Sequence, residues 1–450
     1  MKLNKNFKRK NINLKKGSGQ KLWQEAKKII PGGNMFLSKK SEIYLPNLWP
    51  SYFKSAKGCI VKDLDNKSYI DMTMGIGTNI LGYSNSFVNN AVIKGIRKSN
   101  MSTLNAKEEV LLAKKLLKLH RWAGSVKFAR TGGEANALSL RIARSYCNKT
   151  KIAVCGYHGW HDWYLSANLN KKNNLDKHLL KGLSTIGVPK ELKNTVFPFE
   201  YGNYTQFLKI IKKNKIGIVK MEVSRSLNAD YKFLKFIRQK CNKEKMILIF
   251  DECTSGFRQV FGGLHKLYNI EPDIAVFGKS LGNGFAISAV LGKKRIMKYS
   301  ENSFISSTFW SERVGYVAAL ETLNQMDKTR SWKKISELGI YFRKRLKDLA
   351  EKNGINIKIK GLLAIPNFLI QNDINNIYKT FITQEMLKNG FIISDSVYIS
   401  ISHNKIIFKK FFKVLDKIFK IIKKCKSTNN VKKLLDNKES ISSFGRLNLK

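Results

Sequence analysis

The stretch Ile274-Ala-Val-Phe-Gly-Lys279-Ser-Leu-Gly282-Asn-Gly284 decides how the rest of the chain reads. Its first five residues, Ile274 to Gly278, make a short buried strand. That strand runs straight into a lysine and then a glycine-rich turn. A lysine at the end of a core strand is uncommon, because an ammonium is costly to strip of water. Desolvation at such a place favours the neutral amine, and neutral amines attack carbonyl carbons to form Schiff bases. The glycines leave room for a flat molecule to approach the backbone. The competing reading is a lysine whose stem lies along a sheet edge with its charge in water.

Working outward, the same kind of short apolar run recurs at 126–129, 152–155, 217–223, 246–250 and 286–291. Helical periodicity lies between the runs, at 134–146 and 231–242. This alternation predicts an α/β fold: a mostly parallel sheet with helices on both faces. It fills residues 61–325. Before it, 20–60 holds a helix over 21–30, stopped by Pro31-Gly32-Gly33, and an irregular stretch. After it, 326–425 mixes helices (332–352, 408–424) and strands near 355–359 and 397–402, which reads as a small α+β domain. Residues 1–19 read as a basic mobile arm and 426–450 as an extended polar tail.

Three further strand ends carry candidate chemistry. Met246-Ile-Leu-Ile-Phe-Asp251-Glu252 closes an apolar run with two carboxylates, at the sheet edge where open α/β folds bind ligands. Asp251 can hold a cationic group there; an N-cap is the plainer alternative. Val126-Lys-Phe-Ala-Arg-Thr131-Gly132-Gly133-Glu134 leads a strand through a turn into a helix. The free N–H groups and positive dipole end of that helix suit a phosphate. Its spacing is that of neither a P-loop nor a dinucleotide fingerprint. In Cys155-Gly-Tyr157-His158-Gly159-Trp160-His161, Tyr157 can stack on a planar ring. His158 and His161 have HxxH spacing, but no nearby ligand completes a metal site. A Schiff-base lysine, a carboxylate for a pyridine nitrogen, a phosphate cradle and a stacking aromatic together are what pyridoxal 5'-phosphate (PLP) demands of a protein.

Composition narrows the setting. The 450 residues carry 83 Lys+Arg against 32 Asp+Glu, a formal charge of +51. The lysines are spread along the chain, and Lys, Asn and Ile are overused together. That reads as drift at tolerant surface positions, so no specific nucleic-acid partner is expected. At most the field favours an anionic substrate, which steep salt dependence of activity would reveal. No apolar run is long enough to span a membrane, and no secretory signal follows the basic N-terminus. The six cysteines form no CxxC pair. They read as free thiols in a reducing, cytoplasmic setting.

On these motifs the chain resembles the class III PLP-dependent aminotransferases, closest to the glutamate-1-semialdehyde aminomutase-like branch. The matching residues are Ile30-Pro31-Gly32-Gly33, the segment from Gly58 to Asp71, Leu81-Gly82-Tyr83, Thr131-Gly-Gly-Glu-Ala135, Tyr157-His158-Gly159, Asp251-Glu252-Cys-Thr-Ser255-Gly256-Phe257-Arg258 and Gly278-Lys279-Ser-Leu-Gly282-Asn-Gly284. The stretch Ser307-Thr308-Phe309-Trp310-Ser311-Glu312-Arg313 resembles aminotransferases associated with surface-polysaccharide and nonulosonate-type sugars. The resemblance implies fold type I and a homodimer with active sites at the subunit interface. It implies that Lys279 forms the Schiff base and shuttles a proton. Asp251 would pair with the pyridinium nitrogen. Thr131, Gly132 and Gly133 would hold the phosphate, with Thr308 added from the partner subunit, and Tyr157 would cover the ring. The partners implied are a small-molecule amino donor and a carbonyl acceptor. Three departures stand out. Asn34-Met-Phe-Leu-Ser38-Lys39 lies where the aminomutases carry a carboxylate-gripping arginine, and a lysine does not reproduce that bidentate fork. Arg130-Thr-Gly-Gly133 stands where Asn-Ser-Gly-Thr is usual, and Trp310-Ser-Glu-Arg313 where a Gly-Asn-Pro type is usual. The cofactor side reads as intact and the substrate side as rebuilt. The expected activity is therefore transfer to a sugar or polysaccharide precursor, with intramolecular aminomutation as the alternative.

Overall fold

The computed structural model describes residues 17–178, 181–224, 230–425 and 427–441. Numbered in chain order, the strands are β1 (Phe53–Lys57), β2 (Ile60–Asp63), β3 (Ser68–Asp71), β4 (Ser125–Ala129), β5 (Ile152–Cys155), β6 (Val196–Pro198), β7 (Ile218–Glu222), β8 (Ile247–Asp251), β9 (Ile274–Phe277), β10 (Ser288–Gly292), β11 (Ile357–Lys360), β12 (Asn367–Ile370) and β13 (Phe391–Ile392).

Seven of them form the central sheet, in the order β4-β10-β9-β8-β7-β5-β6. Neighbours from β9 to β6 pair in parallel. Only β10 runs the other way, antiparallel to both β4 and β9. The near-continuous apolar runs follow from this topology: β5, β7, β8, β9 and β10 are buried at every position because helices cover both faces. One face packs on the helix Gly132–Cys147, through Ile218, Ile247, Ile249, Ile274 and Val276. Side chains one residue out of step, such as Val219, Leu248 and Phe250, pack on the opposite face against Phe207, Phe233 and Ile237. The alternation of a strand thus decides which face each polar residue at its end will serve.

The second sheet, β1-β2-β3-β13, joins the two ends of the chain: Ile70 pairs with Phe391. Residues 61–71, expected with the large domain, therefore belong to a sheet completed by the C-terminal region. A short apolar strand cannot announce a partner some 320 residues away. The segment 397–402, expected as a strand, joins no sheet, and residues 401–402 form a turn. Val397, Tyr398 and Ile399 donate in turn to Pro366, Met72 and Ala364, so it bridges elements rather than joining one sheet. β6 was not expected; it is three residues long and ends in proline at the sheet edge.

The first helix begins at Ser18, within the stretch expected to be a mobile arm; residues 1–16 lie outside the described residues. The stretch after Cys425 is not an extended tail over 427–441. It forms a short helix, Thr428–Lys432, buries Val431, and reaches Ser440, whose N–H donates to Thr380 Oγ1. One valine and two well-placed hydroxyls anchor a segment that composition alone reads as solvated. Among the described residues no helix is long and apolar enough to cross a membrane.

Candidate active site

β8 and β9 lie side by side, so their C-terminal ends deliver Asp251 and Lys279 to one edge of the sheet. Asp251 follows Ile249 onto the face covered by the helix Gly132–Cys147. Three groups hold its carboxylate. Oδ2 accepts from Asn136 Nδ2 at 2.8 Å and from His158 Nδ1 at 2.8 Å, and Oδ1 accepts from the Cys253 N–H at 3.0 Å. Burial alone would push this carboxyl up. The hydrogen bond and charge of His158, the Lys220 ammonium and the Cys253 N–H outweigh burial and hold it well below the usual carboxylate range. The other ring nitrogen of His158, Nε2, is buried with no hydrogen-bond partner.

Lys279 sits two residues beyond the last residue of β9, Phe277, with φ of +38°. A left-handed lysine is strained, and such strain collects at functional positions. Its Nζ donates to Thr254 Oγ1 at 2.8 Å, a residue of the loop that begins at Asp251.

The turn before the helix Gly132–Cys147 forms a reciprocal cap. Thr131 Oγ1 accepts from the Glu134 N–H, and the Glu134 carboxylate accepts from the N–H groups of Arg130 and Thr131. The N–H groups of Gly132 and Gly133 open the first turn, where no carbonyl of the helix can reach them. Space favours glycine here: a Cβ on Gly133 would lie 2.8 Å from His161 Cε1, and one on Gly132 would press on Cys253 Sγ at 3.2 Å. The Ser288 hydroxyl donates to Thr131 O, and Asn136, one turn along, reaches Asp251, so the cradle is tied to the same centre.

Tyr157 follows β5. Its N–H donates to Glu222 Oε2 at 3.1 Å, and its ring meets Tyr164 edge-on at 5.9 Å. His158 and His161 part company: one faces Asp251, while the other stacks on Trp160 at 4.7 Å beside Gly133. Thr308 is set apart. It is exposed, and no hydrogen bond among the described residues joins it to Lys279 or Asp251. The segment after it is anchored by Arg130. Arg130 Nε donates to Phe309 O at 2.7 Å, Nη2 donates to Trp310 O and Glu312 O, and the guanidinium pairs with the Glu312 carboxylate.

The fold thus brings together Lys279, Asp251, Thr131, Gly132, Gly133 and the backbone of Tyr157, and leaves Thr308 outside. Sequence reasoning passed over Asn136, the pairing of His158 with Asp251, Thr254 and the buried Lys220. The one available signal was the lysine in the middle of the apolar run Ile218-Val-Lys-Met-Glu222. The donor set suits PLP: an ionised buried carboxylate for a ring cation, a strand-end amine, and a glycine turn on a helix N-terminus where a Cβ would intrude.

The chain belongs to the class III aminotransferase family, whose model matches residues 46–423. It is 31% identical over 381 residues to a 3-aminobutyryl-CoA aminotransferase of Cloacimonas acidaminovorans, covering 82% of this chain and 88% of that one. It is 30% identical over 438 residues to a glutamate-1-semialdehyde 2,1-aminomutase of Wigglesworthia glossinidia brevipalpis, covering 91% and 99%. Its fold matches the PLP-bound FumI protein of Sphingopyxis sp. MTA144 with a TM-score of 0.82 at 24% identity, over 90% of this chain and 97% of that one. An omega-transaminase from Sphaerobacter thermophilus follows at 0.80 and 19%, over 89% and 97%. The protein is a PLP-dependent enzyme of fold type I.

Proposed function

We propose that this enzyme is an aminotransferase that moves an amino group from an amino donor to a carbonyl acceptor in sugar or surface-polysaccharide precursor synthesis. The observation that carries the reading is the meeting of Asp251 and Lys279 at adjacent strand ends, beside the helix N-terminus at Thr131. When bound, PLP supplies an electron sink for the carbon that bears the amino group. Asp251, held ionised, would pair with the protonated ring nitrogen. Lys279 Nζ would hold the cofactor and would move the proton at the substrate carbon. The Gly132 and Gly133 N–H groups would receive the phosphate, and Tyr157 would cover the ring.

Thr308 serves the site of a second copy in a homodimer. Its exposure supports this, as do the large exposed rings of Phe304 and Phe309 beside it. The substrate side differs from the aminomutases at Lys39 and at Trp310-Ser-Glu-Arg313, which favours another acceptor. The +51 charge suits an anionic one. A cytoplasmic location accords with six cysteines that are all unpaired.

The test is the visible spectrum of the PLP-loaded protein before and after a panel of amino acids. One amino acid should bleach the band, and a carbonyl sugar should restore it. A protein without a cofactor band would sink the reading. The second reading, intramolecular aminomutation, is favoured by 30% identity across 99% of an aminomutase. It requires turnover of a single substrate with no separate acceptor, and acceptor-dependent turnover would exclude it.

A further inference from the structure

Among the described residues Lys220 is a fully buried lysine that the reaction above leaves unused. It stands third of five residues in β7 and is 0% exposed. By strand alternation it shares its sheet face with Ile218 and Glu222, and by register with Ile249 and Asp251 of β8. Its Nζ donates to Ser139 Oγ at 2.9 Å, on the helix that covers this face. Ser139 Oγ in turn donates to Asn136 O at 2.8 Å, and Asn136 Nδ2 donates to Asp251 Oδ2. Ser139 and Asn136, one turn apart on one helix, thus stand between the ammonium and the carboxylate. Among the described residues no carboxylate lies within ion-pair distance of Nζ.

A lysine here is costly. Burial pushes its pKa down to about 8, against the pull of Asp251 and Cys253. Such a site would hold a leucine or methionine at no penalty, so the charge demands a purpose. The groups that face it are few. Asp251 lies on β8 and Glu222 on its own strand, with His158 and Cys253 in the adjoining loops. The covering helix adds only the uncharged Ser139 and Asn136.

We propose that Lys220 is a positioning residue for the cofactor: a sealed positive charge behind Asp251 that offsets the carboxylate and so sets how tightly the bound ring system holds its protons. The inference rests on the assignment of Asp251 to the ring nitrogen. The sign follows from electrostatics. A fixed positive charge lowers the proton affinity of every group near it, so its removal raises the pH midpoint of the cofactor's visible band.

The experiment is a spectral pH titration of the PLP-loaded wild type, Lys220→Met and Lys220→Arg. Lys220→Met should shift the midpoint up by about one pH unit, the size expected of one charge roughly 10 Å away at an effective dielectric near 20. Lys220→Arg should return it to the wild-type value. Wild type and Lys220→Met should converge above about pH 8, where the lysine is itself neutral. An unchanged midpoint in Lys220→Met, with or without a lower melting temperature, overturns the proposal and leaves Lys220 a packing residue. Lys220→Gln serves the same titration if the methionine variant does not fold. Asp251→Asn is the control: if it too leaves the titration and cofactor retention unchanged, the fault lies in the assignment of Asp251.

Discussion

Asp251 and Glu252 are adjacent carboxylates at the end of one strand, each bonded to a histidine Nδ1 at 2.8 Å, yet they serve different ends. Alternation sends them to opposite faces of the sheet. Glu252 faces a closed network. Oε1 accepts from His265 Nδ1 and the His265 N–H, and Oε2 accepts from Ser255 Oγ. His265 Nε2 accepts from Trp122 Nε1 at 3.0 Å, which fixes the proton of that ring on Nδ1. Behind them His120 receives the Gly263 N–H. Asp251 faces an open one. Its histidine ends in an unpartnered Nε2, its neighbour Lys279 is backbone-strained, and a glycine cradle stands beside it. A network with every donor and acceptor spoken for holds the loop 252–265 in place. One with vacancies and strain is built to receive something.

The two faces should therefore fail differently. Lys279→Ala, on the open side, should abolish turnover and the visible cofactor band while leaving the fold; turnover in that variant would reject the site. Asp251→Asn should lower kcat by on the order of 10²–10³-fold, the scale of losing one preorganised charge at a reacting centre. Glu252→Gln should do the reverse. It should cost about 2–3 kcal/mol of stability, as the charge-assisted bonds to His265 and Ser255 are lost, and leave kcat of the folded fraction within a few fold. If Asp251→Asn melts and Glu252→Gln dies catalytically, the contrast is wrong.

The smallest effect is a pH dependence. Burial pushes His120 down to about 4, and His178, which accepts the Gly156 N–H near His158, to about 4 as well. Both stay neutral in the fold while an unfolded histidine protonates near 6.5. A depressed pKa means stability that is whole above about 6.5 and is lost as pH falls toward 4. The melting temperature of the cofactor-free protein should fall across that window. The carboxylates act lower. Asp251 and Glu252 are both held below their ordinary values, so their contributions survive until the pH drops under about 4. His120→Gln, which removes one depressed histidine from the closed side, should flatten part of the earlier decline; an unaltered slope would remove His120 from this account.

Much of this was legible in the residues. The apolar runs of β5, β7, β8 and β9 sit within a residue or two of the structure, because a strand buried on both faces must be apolar throughout. Lys279, Asp251 and the Thr131 turn could be picked out since each ends such a run, where polar residues need a reason. The pairing of 60–71 with β13, the anchoring of 427–441 and the antiparallel run of β10 left no comparable mark, for they depend on partners remote in the chain.

What the sequence determined by itself was the fold class and the cofactor chemistry, because strand period and residue type are local properties. What only the tertiary structure decided was that Asn136 and His158 hold Asp251, and that Lys220 lies behind it on the same sheet face. Those contacts join residues that the chain keeps 81 to 115 positions apart, and the register of neighbouring strands, rather than any spacing in the sequence, brings them within reach.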